Sequence, residues 1–119
     1  MASEGNSCII GTYFKIQDGK QEEFKGLCER LVEKTHRHLG CFLCSFSFNS
    51  DQAYLLQVYR DADAALANLP NVGEVLQDLM EIGDVVRLEM HAPPGELSKL
   101  GGFSELQPQY FTLEYGFRR

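Results

Sequence analysis

The sequence predicts an α+β fold: one antiparallel sheet with helices on a single face. Three observations carry this. Short runs rich in β-branched and aromatic residues, such as CIIGTYFKI (8–16) and AYLLQVYR (53–60), alternate with two helix-length segments of 3.6-residue apolar periodicity. Two of the strand-like runs, CFLCSFSFN and AYLLQVYR, are separated only by Ser50-Asp51-Gln52, which reads as a hairpin. The chain has 119 residues, expected to form one domain over 1–119 that buries roughly two-thirds of its unfolded surface.

Taken in order, strand 8–16 stops at Asp18-Gly19, a turn signal. The next segment, KQEEFKGLCERLVEKTHRHLG, sets Phe24, Leu27, Cys28, Leu31, Val32 and Leu39 at helical spacing. Glu22 and Glu23 suit its positive N-terminal end, Lys34 and Arg37 its negative end, and Gly40 is placed to cap it. After the hairpin, Asp61 is a good N-cap for a helix running to Leu69, where Pro70 is expected to break it. Asn71, with Glu74 three residues on, is expected to restart it, and Val72, Val75, Leu76, Leu79 and Met80 supply the apolar stripe. Gly83 ends that piece. DVVRLEMHA alternates strictly, Val86, Leu88 and Met90 against Arg87, Glu89 and His91, until Pro93-Pro94. A helical turn ELSKL, a Gly101-Gly102 break and a last strand YFTLEYGF complete the chain. The order β-α-β-β-α-β plus an extra strand is the split βαβ, ferredoxin-like arrangement.

Composition narrows the partners. A net charge of −6 argues against nucleic-acid binding, which needs a basic face, and only Arg118-Arg119 is locally basic. No apolar run approaches the roughly 18 residues of a membrane span. The opening MASEGNS has no apolar signal segment, so a soluble, cytoplasmic protein is expected. Cys41 and Cys44 have CxxC spacing but fall in a strand, where residues three apart face opposite ways, so no metal site and no disulfide is expected. Strand two sets Phe42, Cys44, Phe46 and Phe48 against Cys41, Leu43, Ser45 and Ser47. Strand one sets Ile10, Thr12, Phe14 and Ile16 against Ile9 and Tyr13. Two substantially apolar sheet faces call for two covers, helices on one and a partner subunit on the other. A homodimer is the expectation.

Over roughly residues 8–92 the chain resembles a known family. A strand leads into a helix start at Gly19-Lys20 and Glu23-Phe24. A helix leads into a Gly40-Cys41 step, and a strand ends in Tyr59 before a helix bearing Asp61, Ala64 and Leu69. In this order and spacing the motifs are similar to those of the antibiotic biosynthesis monooxygenase domain, a dimeric α+β barrel. The resemblance implies a homodimer with sheets face to face and a pocket between sheet and helices in each subunit. It also implies, for some members, oxygenation of phenolic or quinol substrates without metal or flavin, and haem degradation in relatives. Tyr59 stands where members often carry Trp, Thr12 where several carry Asn, and Asn68 where His is common; the chain has no Trp. These departures weigh against haem, and no cofactor is expected.

Cofactor-free oxygenation needs a substrate that itself reduces O2, with protein groups that help remove a proton and stabilise the anion. Tyr59 and Asn68 are the candidate donors, with Gln57 and Thr12 alongside as substrate contacts. His91, the only strand-borne histidine, is the candidate base. Each has a plainer reading: Tyr59 as a core aromatic, Gln57 and Asn68 as groups satisfying the backbone, His91 on an exposed or interface face. His36 and His38 read as helix-end charges. Two functions follow: a cofactor-independent monooxygenase acting on a small phenol or quinol, or a non-catalytic dimeric domain binding a small hydrophobic molecule. A roomy pocket with two donors converging would favour the first; one filled by Phe14, Leu55 and Met80 would favour the second.

Overall fold

Five strands form one sheet in the computed structural model, which describes residues 5–117. They are β1 (Cys8–Ile16), β2 (Cys41–Asn49), β3 (Gln52–Tyr59), β4 (Gly83–Ala92) and β5 (Gln109–Thr112), in the order β2-β3-β1-β4-β5. The Met1–Glu4 start and the Arg118-Arg119 pair lie outside the described residues. The first four strands pair antiparallel, as the split βαβ order requires. β5 departs from the all-antiparallel expectation: it runs parallel to β4, because residues 93–108 carry the chain back before it pairs.

Helix α1 (Gln21–His36) buries Phe24, Cys28, Leu31 and Thr35, with Glu22 and Glu23 in its first turn and Lys34 and His36 in its last. It stops earlier than the sequence suggests. Leu39 is outside it and 87% exposed, and the end falls at Arg37, not Gly40: the Arg37 N–H donates to the Lys34 carbonyl and the His38 N–H to that of Thr35. Gly40 serves a different need, since a Cβ there would lie 2.7 Å from the Cβ of Ala64. The absence of a side chain lets the strand entry touch the second helix.

Helix α2 (Ala62–Ile82) starts at Asp61, whose carboxylate accepts the Ala64 N–H at 2.8 Å. The expected break at Pro70 does not occur: the helix is continuous. A proline inside a helix costs about 3 kcal/mol. Burial of Val72, Val75 and Leu79 returns roughly 1.5–3 kcal/mol each, so packing wins. Asn71 does not restart the helix. Its side chain instead donates to the Lys34 carbonyl and to Asn68 Oδ1.

Two β-bulges overturn strict alternation. On β4, Tyr13 faces Arg87 while Phe14 faces Val85, so Val86 is the extra residue; it is 62% exposed, and Val85 takes the inward place. On β2, Cys41 lies opposite Tyr59 and Leu43 opposite Val58, so Phe42 is bulged. Cys41 and Cys44 therefore share the helix-covered face, opposite Tyr59 and Gln57, contrary to the opposite-face expectation. Burial holds both thiols above their usual range, Cys44 at about 11. Beyond β4 come α3 (Pro94–Leu97) and a 3-10 helix (Leu100–Leu106), which runs through Gly101-Gly102 instead of breaking there.

The covered face holds two packed groups. One gathers Cys8, Ile10, Tyr59, Ala62, Leu88, Met90, Leu100 and Phe103; the other Phe14, Ile16, Phe24, Leu31, Leu55, Val75 and Leu79. The other face sets Ile9, Tyr13, Tyr54, Leu56, Val58 and Leu43 beside Ser45, Ser47, Arg87, Glu89 and His91. No described helix is long and apolar enough to cross a membrane.

Candidate ligand pocket

A cavity of about 50 Å³ lies where the two packed groups meet. Strand alternation aims Ile10 and Thr12 of β1 and Leu55, Gln57 and Tyr59 of β3 into it. Helical spacing brings Ala65, Asn68, Val72 and Leu76 of α2 across from them, with Leu69 and Met80. Leu31, Val85, Leu88, Phe103 and Leu106 complete the lining, which is mostly aliphatic.

The polar end is a hydrogen-bond chain whose direction is fixed from outside. The Lys34 carbonyl can only accept, so Asn71 must turn Nδ2 toward it (3.1 Å) and gives its second hydrogen to Asn68 Oδ1 (2.9 Å). Asn68 then has only Nδ2 to offer onward, donating to Thr35 Oγ1 at 3.2 Å and to the Tyr59 hydroxyl at 2.9 Å. Gln57 Nε2 donates to the same hydroxyl at 2.8 Å. The Tyr59 oxygen therefore accepts twice, and its own proton is left for whatever occupies the cavity.

Burial pushes the Tyr59 phenol well above its ordinary range, with Asn68 donation pulling the other way and the nearby Cys41 and Cys44 raising it further. The group is thus a neutral donor at physiological pH and cannot serve as a base. Among the described residues it is also the only ionisable side chain in the lining. Such a site is suited to holding, or stabilising charge on, a ligand oxygen.

Of the residues singled out from the sequence, Thr12, Leu55, Gln57, Tyr59, Asn68 and Met80 meet around this cavity. Phe14 does not; it is fully buried in the neighbouring group, edge-on to Phe24. His91 lies on the opposite sheet face, stacked on Phe111 at 4.6 Å and bonded to Glu89 at 3.3 Å. Its alternation with Arg87 and Glu89 already signalled this. His38 is more than a helix-end charge: Nε2 contacts the Ala64 carbonyl at 2.8 Å, and its ring lies 6.3 Å from that of Tyr59. Sequence reasoning missed Thr35 and Asn71, although a polar Thr35 one turn after Leu31 on a buried stripe was a usable signal. Phe103 and Leu106 gave none, because they reach the cavity only through the path of the chain after β4. Among the described residues no three His, Cys, Asp or Glu side chains converge in a metal-binding arrangement.

No family profile and no curated protein matches the chain. Solved structures do. MupZ from Pseudomonas fluorescens is 37% identical, with 97% of this chain and 96% of MupZ covered and a TM-score of 0.91. SnoaB, a cofactor-independent oxygenase from Streptomyces nogalater, is 15% identical over 72% of this chain and 91% of its own, at 0.65. A Chloroflexus aurantiacus protein described as an antibiotic biosynthesis monooxygenase is 14% identical over 74% and 93%, at 0.63. The last two share the fold alone. The chain therefore belongs to one family with MupZ, and its fold is that of the antibiotic biosynthesis monooxygenase structures.

Proposed function

We propose that the protein is a cofactor-independent monooxygenase that holds a small phenolic or quinol substrate by its oxygen under Tyr59. The observation that carries this is the twice-accepting Tyr59 hydroxyl, whose free proton is ordered by the Lys34–Asn71–Asn68 chain. Donors held in place in a mostly aliphatic cavity stabilise a developing oxyanion without reorganising. The substrate supplies all four electrons to O2 and two hydrogens to the water: one oxygen atom enters the substrate, the other leaves as water, and the phenol ends as a quinone or the quinol as a hydroxyquinone. Because the lining contains no free base, the substrate's own proton goes to solvent, and the rate should follow the substrate's pKa. The fold shared with SnoaB supports the same reading. We place it in a cytoplasmic homodimer joined through the open sheet face, where Ile9, Tyr13, Leu56 and Val58 meet no other layer.

The test is oxygen uptake on a panel of phenols, naphthols and anthrones. Tyr59→Phe should cut turnover about 10²–10³-fold, as loss of one aimed donor does. Uptake surviving that change intact would remove Tyr59 from the chemistry. A second reading, a non-catalytic binding domain, is favoured by one observation: at about 50 Å³, with Leu55 and Met80 in its lining, the cavity is smaller than an aromatic ring. Absence of uptake on every substrate, from protein shown to be folded, would select it.

A further inference from the structure

We propose that Phe103 and Leu106 form the wall that sets the size of molecule the cavity accepts. This rests on the reading that the cavity takes a ligand. The rest of the lining comes from β1, β3, β4, α1 and α2, which pack against one another and cannot move without disturbing the core. The wall alone belongs to the segment after β4.

That segment is built in, not draped. Glu96 Oε1 accepts the Ala62 N–H at 2.9 Å, and its other oxygen lies 3.4 Å from Lys99 Nζ. Leu100 is fully buried and Phe103 is 8% exposed. A Cβ on Gly102 would come within 3.0 Å of Leu66 Cδ2, so the segment rests directly on α2. Beyond it, β5 pairs with β4.

The likenesses differ in how much of the chain they cover. Seven solved structures at 12–19% identity match 71–77% of this chain while 85–99% of their own length is covered, a share close to the span from β1 to β4. MupZ matches 97%. On this reading the wall is where selectivity can change without rebuilding the sheet.

The experiment uses two ketones, acetone and cyclohexanone. Each offers one acceptor to Tyr59, and only the second carries a ring. Dissociation constants come from amide chemical-shift titrations of the full chain and of Phe103→Ala. A ring-sized space opened among aliphatic side chains can take up a small hydrocarbon, as an engineered cavity of about 150 Å³ takes benzene. Phe103→Ala should bind cyclohexanone at least about tenfold tighter than wild type, the lower end of what added apolar bulk decides in a pocket. Acetone affinity should change far less. If the alanine variant does not fold, Phe103→Leu carries the same comparison with a smaller gain. Unchanged cyclohexanone affinity beside measurable acetone binding would overturn the wall alone. If neither ketone perturbs the cavity amides in either protein, the ligand reading falls and the wall falls with it.

Discussion

Tyr59 is held by what it accepts, and this alters what its removal should do. Its hydroxyl takes hydrogen bonds from Gln57 and Asn68, both buried. Tyr59→Phe therefore deletes one acceptor and strands two donors. A single net hydrogen bond is worth about 1 kcal/mol, but a buried unsatisfied group costs about 1–3 kcal/mol. The variant should lose stability toward the upper part of that range, measured as the shift in urea midpoint at constant slope. A loss below about 0.5 kcal/mol would mean that water replaces the hydroxyl. At this scale the sequence was informative wherever a period applies. Alternation puts Leu55, Gln57 and Tyr59 on one face, and helix spacing brings Asn68 to the same side. It was silent where contact depends on the route of the chain: nothing near Asn71 says that a carbonyl of another helix will orient it.

Among the elements, two glycines make opposite predictions. Gly40 has no room for a side chain, with Ala64 at 2.7 Å from its would-be Cβ, so Gly40→Ala should destabilise by roughly 1–3 kcal/mol through overpacking. Gly26 is exposed in the middle of α1 with nothing within 4 Å, so Gly26→Ala should stabilise by roughly 0.5–1 kcal/mol. Thermal melts of the two variants should move in opposite directions. Strand and helix order was legible throughout, because each element has a clean period and a turn signal. The misreadings share one physical cause, that local rules were outvoted by packing. Pro70 stays inside α2 because the apolar face on both sides of it is buried. The bulges at Phe42 and Val86 insert a residue without any compositional mark, and so silently reverse which residues face the helices.

Across the whole molecule, an open sheet face and buried thiols each lead to a measurable property. If the face bearing Ile9, Tyr13, Leu56 and Val58 is an obligate interface, sedimentation at micromolar concentration should give a dimer burying more than roughly 2,000 Å². A sharp monomer boundary would contradict it. Burial raises the thiols of Cys8 and Cys28 to about 12 and that of Cys44 to about 11, from 9.0. In the unfolded chain these groups lose protons above about pH 9, while the folded chain still holds them. The unfolded state then binds fewer protons, and stability falls as pH rises. The contribution is complete below about pH 9 and lost progressively through pH 11–12. Calorimetry should show a melting temperature that declines through this window; a level profile to pH 11 would count against it.

The Glu96 carboxylate holding the first amide of α2 makes that one hydrogen a clock. The Ala62 N–H is fastened to a side chain 34 residues further along, so its exchange with solvent deuterium requires the Glu96 carboxylate to let go. Its exchange rate therefore counts how often that contact parts. Glu96→Gln, which weakens the acceptor but keeps its shape, should quicken the Ala62 signal while amides in the middle of β1 keep their own slow pace.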